Sequence, residues 1–339
     1  MTTSEPVASV IIAAYNVDEY LQQAIDSVLN QSLSDFELII VDDGSTDGTW
    51  GIIESMAADS RVRAISHGTN RGAPTARNSG LDSAKGTYVA FLDGDDVLHP
   101  DMLLHMVTAA QHHDVEIVTC GYSTFRGDAE PDPAPFRYPL ERRLSGAALG
   151  TVLERAHRDK LYWFNTTFIY RRDLISRANL RFATDVVMVD TLFSAQALRA
   201  AHSIYAVPEH LYVVRQRAGS TTRHGNPDWN ANIGGQYRAL RSFYDSNSLW
   251  SSVATDYYGY VLQFSLPQAI ANSCVLATDR RHLAALLREL REHEWVINAL
   301  QHLEAWRGLT MKRRLVATLI KHRLFRLSAL LYARQITGG

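Results

Sequence analysis

The stretch FELIIVDDGSTDGT, residues 36 to 49, decides the fold. Phe36 to Val41 has strand length and is almost wholly apolar, the pattern of a strand buried on both faces. It stops abruptly at Asp42-Asp43, and the Gly44-Ser45-Thr46 that follows suits a tight turn, with Ser45 or Thr46 placed to cap a helix. A strand, an acidic turn and a helix in that order make one unit of an α/β protein. Outward from this unit the two periods keep alternating. Val7 to Ala14 is a strand before it, followed by helical spacing at Leu21, Ile25, Val28 and Leu29. After it come a helix through Trp50, Ile53 and Met56, a strand at Val62 to Ile65 and a helix over Arg71 to Ala84. A strand at Tyr88 to Leu92, a helix over His99 to Gln111 and a strand at Val115 to Cys120 complete the run. Such alternation implies a mostly parallel sheet with helices on both faces.

The rest of the chain divides by composition. Residues 127 to 139 (GDAEPDPAPFRYP) are rich in proline and acid, a loop signal. The expected organisation is a 1–225 domain, with halves at 1–125 and 126–225, and a mainly helical region over 226–339. From Ala305 the sequence carries Arg307, Lys312, Arg313, Arg314, Lys321, Arg323, Arg326 and Arg334 and no acid. Val316, Ile320, Leu324, Leu327 and Leu331 are spaced for one helical face.

Bulk properties exclude several classes. A net charge of −2 over 339 residues offers no basic field for nucleic acid. Cys120 and Cys274 stand far apart and outside any CxxC pattern, so neither a disulfide framework nor a zinc site is expected and a cytoplasmic setting is. No basic segment leads into an apolar run near Met1, and nowhere do about 18 apolar residues run together as a membrane span needs. The 13 histidines show no metal-ligand spacing.

Ligands of open α/β sheets bind beyond the carboxyl ends of the strands. Those ends hold Tyr15-Asn16, Asp42-Asp43 and Asp93-Gly94-Asp95-Asp96, five carboxylates on one sheet edge. Three carboxylates in four residues repel one another unless a cation is present, and oxygen ligands suit Mg²⁺ or Mn²⁺. Gly94 allows close backbone approach or a positive φ. A solvated acidic turn starting the next helix is the plainer alternative. Asp43 reads either as an acceptor for a base or ribose group or as part of a turn. The glycines at 44, 48 and 51 form neither GxGxxG nor a Walker loop.

Together SVIIAAYN (9 to 16), FELIIVDDGSTDGT (36 to 49) and NRGAPTARNSGLDSAKGTYVAFLDGDD (70 to 96) resemble the family 2 glycosyltransferases with the GT-A fold. The likeness continues more weakly through YRRDLI, VDTLF and RQRAGSTTR to about residue 225. It implies an inverting transfer of a sugar from a nucleotide diphosphate, most readily UDP, to a hydroxyl of a glycan or lipid-linked glycan of the cell envelope. It further implies that Ala14, Tyr15, Asp43, Arg77, Asp93, Gly94 and Asp95 bind the nucleotide sugar, with Arg77 reaching toward the base or diphosphate. Asp95 and Asp93 would hold the divalent cation, and Asp96 would assist or cap the next helix. Asp190 would be the catalytic base. Trp163 and Asn165 would meet the acceptor. Arg215, Arg217 and Ser220 suit closure over the diphosphate, since arginine binds phosphate bidentately, or equally a solvent-facing strand and turn.

Two positions depart from the family pattern. Val189 stands where a glutamate usually precedes Asp190, and Ala13 where proline is common. The first departure motivates a non-catalytic nucleotide-sugar binder as a rival reading. A nucleotidyltransferase is the other rival, but AAYNVDEY lacks the basic loop it needs near the first strand. The basic, leucine-rich end, residues 306 to 334, suits either peripheral contact with the inner leaflet of an anionic membrane or packing on the fold.

Overall fold

The computed structural model describes residues 5–56, 58–127, 129–133, 144–145, 152, 164–184, 190–216 and 227–336. The chain forms two compact units, one of residues 1–153, 163–185 and 189–217, the other of 154–162, 186–188 and 218–339.

The first unit is a ten-stranded mixed sheet with the order β3-β2-β1-β4-β9-β6-β10-β5 along its main path, and the two-residue strands β7 (Asp132–Pro133) and β8 (Leu144–Ser145) pair off it with β6 and β10. Strands β1 (Ala8–Ala14), β2 (Phe36–Asp42), β3 (Val62–Ser66) and β4 (Tyr88–Asp93) pair in parallel. The centres of β1, β2 and β4 are buried, as the apolar runs require, while β3 at the sheet edge is half-buried or exposed along its length. Helices α1 (Asp18–Leu29), α2 (Thr49–Met56), α3 (Ala73–Ser83) and α4 (Met102–His113) make the connections. Helix α1 buries Leu21, Ala24, Ile25 and Val28, the face set by the 3.6-residue period.

Beyond β4 the sheet departs from the mostly parallel arrangement the alternation implied. Strand β9 (Phe168–Arg171) inserts between β4 and β6 (Ile117–Phe125) and runs antiparallel to both. Strand β10 (Ser203–Arg215) then pairs in parallel with β6 and antiparallel with the short β5 (Val97–Leu98). Residues 165–184 and 190–215 thereby return the chain to the same sheet edge. Helices α5 (Arg172–Arg177) and α6 (Asp190–Ala200) lie in this return.

The second unit is helical over its described residues from Trp229 to Ile336. Trp295, Tyr237 and Tyr244 are among its fully buried side chains. The apolar stripe expected near the end divides in two. Helix Met311–Lys321 stops at His322, Arg323 takes a φ of 61°, and a new helix runs Phe325–Ile336. The break resets the helical phase. Val316 and Ile320 are buried, whereas Leu324, Leu327 and Leu331 are 44%, 49% and 53% exposed; Phe325, Ser328 and Ala329 take the inward positions instead. No helix of the described residues is long and apolar enough to cross a membrane.

Candidate active site

Parallel pairing sets the end of β1 beside the two acidic strand ends, because Ala14 registers with Asp42 and Ala13 with Asp93. The turns that follow β1 and β2 are stitched together by the DDGSTDGT segment. Ser45 Oγ accepts from Asn16 N, Asn16 Oδ1 accepts from Thr46 N, and Thr49 Oγ1 accepts from Val17 N. Asp47 Oδ1 takes the first helical N–H, that of Thr49, so Ser45 and Thr46 join loops rather than cap the helix. Tyr15 remains 44% exposed at the tip, while Ala14 is buried and its carbonyl accepts from Asp43 N.

Asp43 is 1% exposed, and its carboxylate organises the loop before α3. Oδ2 accepts from Gly72 N at 2.7 Å, and Oδ1 accepts from Arg71 N and lies 2.7 Å from His67 Nδ1. The other ring nitrogen of His67 sits 2.9 Å from Ser79 Oγ. Two glycines permit this fold-back. Gly44 has φ 74°, and a Cβ there would lie 2.4 Å from the Thr69 backbone; Gly72 has φ 90°.

The turn after β4 is held from the far side by β10. Asp96 is 6% exposed and accepts from Tyr212 Oη at 2.7 Å and from Arg215 N at 2.8 Å. Tyr212 Oη also accepts from Asp93 N. Burial, with the charges of Asp93 and Asp95 adding to it, pushes the Asp96 carboxyl well above the usual carboxylate range. Asp96 is therefore an anchor of the turn. It does not cap α4, which Asp101 precedes. Arg215 Nε donates to the Asp95 carbonyl, and its guanidinium lies over the Tyr20 and Phe125 rings, so it braces the same turn. Gly94 does not adopt a positive φ; a Cβ there would crowd Val17 Cγ2 at 3.1 Å.

Asp190 opens α6, and Arg77 on α3 joins it to Asp93. Arg77 Nη1 donates to Asp190 Oδ1 at 2.6 Å and Nη2 to Asp93 Oδ1 at 2.7 Å. The arginine side chain is only 10% exposed, but the two carboxylates keep 38% (Asp93) and 31% (Asp190) of their surface. Burial opposes the arginine's charge, and Asp190 and Asp93 outweigh it, so Arg77 is held above its ordinary range. Burial likewise raises the Asp190 carboxyl, against the pull of Arg77.

Asp93 and Asp95 remain as candidate metal ligands. An all-oxygen pair beside a third carboxylate fits Mg²⁺ or Mn²⁺, which keep several positions for water and phosphate. Among the described residues no three His, Cys, Asp or Glu side chains form a closed cage. Asn165, expected at the acceptor, is 0% exposed, and neither of its amide atoms has a hydrogen-bond partner among the described residues. Trp163, Arg217 and Ser220 lie outside the described residues. His67, Tyr212 and Phe182, whose ring carries the Arg77 guanidinium at 5.4 Å, have no motif that marks them. The one sequence signal for Tyr212 is a hydroxyl within an otherwise apolar LYVV strand.

An α/β sheet with acidic turns at its carboxyl edge, closed by a return segment bearing a further aspartate, is the architecture of a GT-A transferase. The family model for glycosyl transferase family 2 matches residues 9–177. A relative, the uncharacterized glycosyltransferase EpsJ of Bacillus subtilis (strain 168), is 32% identical over 336 residues, 98% of this chain and 97% of that protein. This chain belongs to the family 2 glycosyltransferases. Among solved structures, S. aureus TarS 1-349 in complex with UDP-GlcNAc aligns with a TM-score of 0.63 at 17% identity, covering 97% of this chain and 91% of that one. The mannosyltransferase PcManGT from Pyrobaculum calidifontis, in complex with GDP-Man and Mn²⁺, aligns at 0.55 and 18%, covering 97% and 87%. At these identities the likeness is one of fold.

Proposed function

We propose that this glycosyltransferase moves a sugar from a nucleotide diphosphate, UDP first among the candidates, to a hydroxyl of a glycan or lipid-linked glycan with inversion at the anomeric carbon. The observation that carries this reading is the Asp93–Arg77–Asp190 chain, which ties a carboxylate of the acidic turn to a partly exposed carboxylate across the site. Asp190 takes the proton of the acceptor hydroxyl as that oxygen bonds to the anomeric carbon. The bond from that carbon to the diphosphate oxygen breaks on the opposite face, and its electron pair leaves with the nucleoside diphosphate. One carboxylate base suffices, and Val189 in place of a glutamate does not remove it. Asp93 and Asp95 would hold a divalent ion, whose chemistry when bound is to neutralise charge on a diphosphate leaving group. Tyr15 and Asp43 border the base and ribose. The bound UDP-GlcNAc and GDP-Man of the two structural neighbours support a nucleotide-sugar donor, and the Mn²⁺ supports the ion.

The second unit offers a surface for the lipid side of such an acceptor. Met311, Leu315, Leu324, Leu327, Leu330 and Leu331 are at least 44% exposed, among exposed Arg307, Lys312, Arg314, Arg323 and Arg326. Exposed leucines interleaved with cations suit an anionic leaflet.

The test is to incubate the protein with UDP-, GDP-, CDP- and dTDP-hexoses in Mn²⁺ or in chelator and to follow nucleotide release and product configuration by NMR. Ion-dependent release of a nucleoside diphosphate with inversion is expected. Pyrophosphate release from a nucleoside triphosphate and sugar phosphate, or retention of configuration, overturns the reading.

A further inference from the structure

The charged trio at the site is carried by three chain segments, and each segment places an aromatic or amide side chain in one common block. On β4, Phe91 lies two residues before Asp93, hence on the same face of the strand. On α6, Phe193 lies three residues after Asp190, on the same side of the first helical turn. On α3, Asn78 directly follows Arg77. The Phe182 ring is the common neighbour. It stacks on Phe193 with centroids 4.1 Å apart and planes at 4°, and meets Phe91 edge-on at 5.2 Å. Phe91 and Phe193 also meet edge-on at 5.8 Å. The Arg77 guanidinium lies over the Phe182 ring, 5.4 Å from its centroid.

Phe182 belongs to a segment without helix or strand, 180–183, so no backbone ladder fixes it. Asn78 does so instead. Its Oδ1 accepts from Phe182 N at 2.9 Å and its Nδ2 donates to Phe182 O at 2.8 Å. One side chain thus satisfies both backbone groups of Phe182, as a neighbouring strand would. The ring is 2% exposed and has no room to reorient.

We propose that Asn78 and Phe182 form a positioning latch for the transfer reaction, fixing the Arg77 guanidinium and the start of α6 so that Asp190 keeps its place relative to Asp93. The proposal rests on the reading of Asp190 as the base. Asn78 and Phe182 are positioning residues that act through Arg77 and Asp190. Loss of the latch frees the guanidinium plane and the 180–183 segment, and an ångström of drift in a reacting carboxylate is felt in kcat. Donor binding at the turns after β1, β2 and β4 does not depend on it.

The experiment compares Asn78→Ala, Phe182→Leu, Asp190→Asn and the Asn78→Ala/Asp190→Asn double variant. Nucleotide release is measured with whichever of the UDP-, GDP-, CDP- or dTDP-hexoses the wild type hydrolyses fastest. Ile25→Val in the remote α1 core serves as a mildly destabilised control. Each latch variant is expected to lose about tenfold or more in kcat with donor KM within about twofold, and the double variant to be no slower than Asp190→Asn alone. A crystal structure of Asn78→Ala is expected to show the Arg77–Asp190 hydrogen bond broken. Multiplying losses in the double variant, a loss that falls on KM, or an unchanged Arg77–Asp190 distance overturns the latch. Near wild-type kcat in Asp190→Asn overturns the base assignment instead, and the crystal structure still decides whether Asn78 holds Arg77.

Discussion

Arg77 Nη1 and Asp190 Oδ1 stand 2.6 Å apart although 113 residues of chain separate them. The same guanidinium reaches Asp93, so one buried cation is shared by two carboxylates that each keep a third or so of their surface. A buried arginine with both partners in place is satisfied; stripped of both it costs several kcal/mol, roughly 3–5 in comparable cases. Because Asp93 remains, Asp190→Asn does not strand the charge, and that variant is a clean probe of chemistry.

Asp190→Asn is expected to lower kcat by about 10²-fold or more, the scale of losing a general base, with donor KM nearly unchanged. Only the ionised form of Asp190 accepts a proton, so activity falls as pH drops through its folded pKa. Burial raises that value, which puts the acid limb of kcat above the roughly 3.9 of a free aspartate. Steady-state kinetics across pH checks both points; an equal loss of donor binding would assign Asp190 to the donor pocket.

Asp95→Asn is expected to remove the extra thermal stabilisation that Mn²⁺ gives the protein in the presence of UDP, and to abolish transfer. A hard cation loses one of two anionic ligands, because Asp96 is already committed to Tyr212 and Arg215. Thermal-shift titrations of UDP with Mn²⁺ and with chelator measure it. Near-normal activity of the variant in chelator would end the metal assignment.

Asn165→Leu is expected to raise the melting temperature while reducing transfer to an acceptor more than it reduces donor hydrolysis. A buried amide with neither atom bonded among the described residues costs about 1–3 kcal/mol. Each kcal/mol recovered corresponds to about 2–4 °C in a domain of this size. Calorimetry and paired hydrolysis and transfer assays make the check. A lower melting temperature with unchanged transfer means the amide serves the fold alone.

Leu327→Glu/Leu331→Glu is expected to leave the melting temperature within about a degree, since both side chains are half exposed. The same change is expected to abolish co-sedimentation with vesicles rich in anionic lipid. Equal vesicle binding by both proteins, or none by the wild type at low salt, removes the membrane from the reading of this surface.

Much of the site edge was legible locally. An apolar run followed at once by Asp42-Asp43 or Asp93-Gly94-Asp95-Asp96 is a strand end wherever it occurs, and alternation with helices puts such ends on one edge. From the sequence Asp96 either assists at the site or caps the next helix, because charge is visible in a sequence and burial is not. Its commitment to Tyr212 depends on β10 lying 116 residues away. The C-terminal stripe was misphased for a similar reason, since the left-handed Arg323 that divides the two helices has no proline or glycine beside it to announce the break.

The sequence by itself determined the strand–helix alternation, the family and the acidic turns, because hydrophobic period and turn chemistry act within a few residues. Only the tertiary structure decided that β9 enters antiparallel, that Arg77 joins Asp93 to Asp190, and that Asn78 secures Phe182 beneath it. These depend on which distant side chains meet when the chain closes its core, and a pairing over a hundred residues leaves no periodic trace in either partner's neighbours.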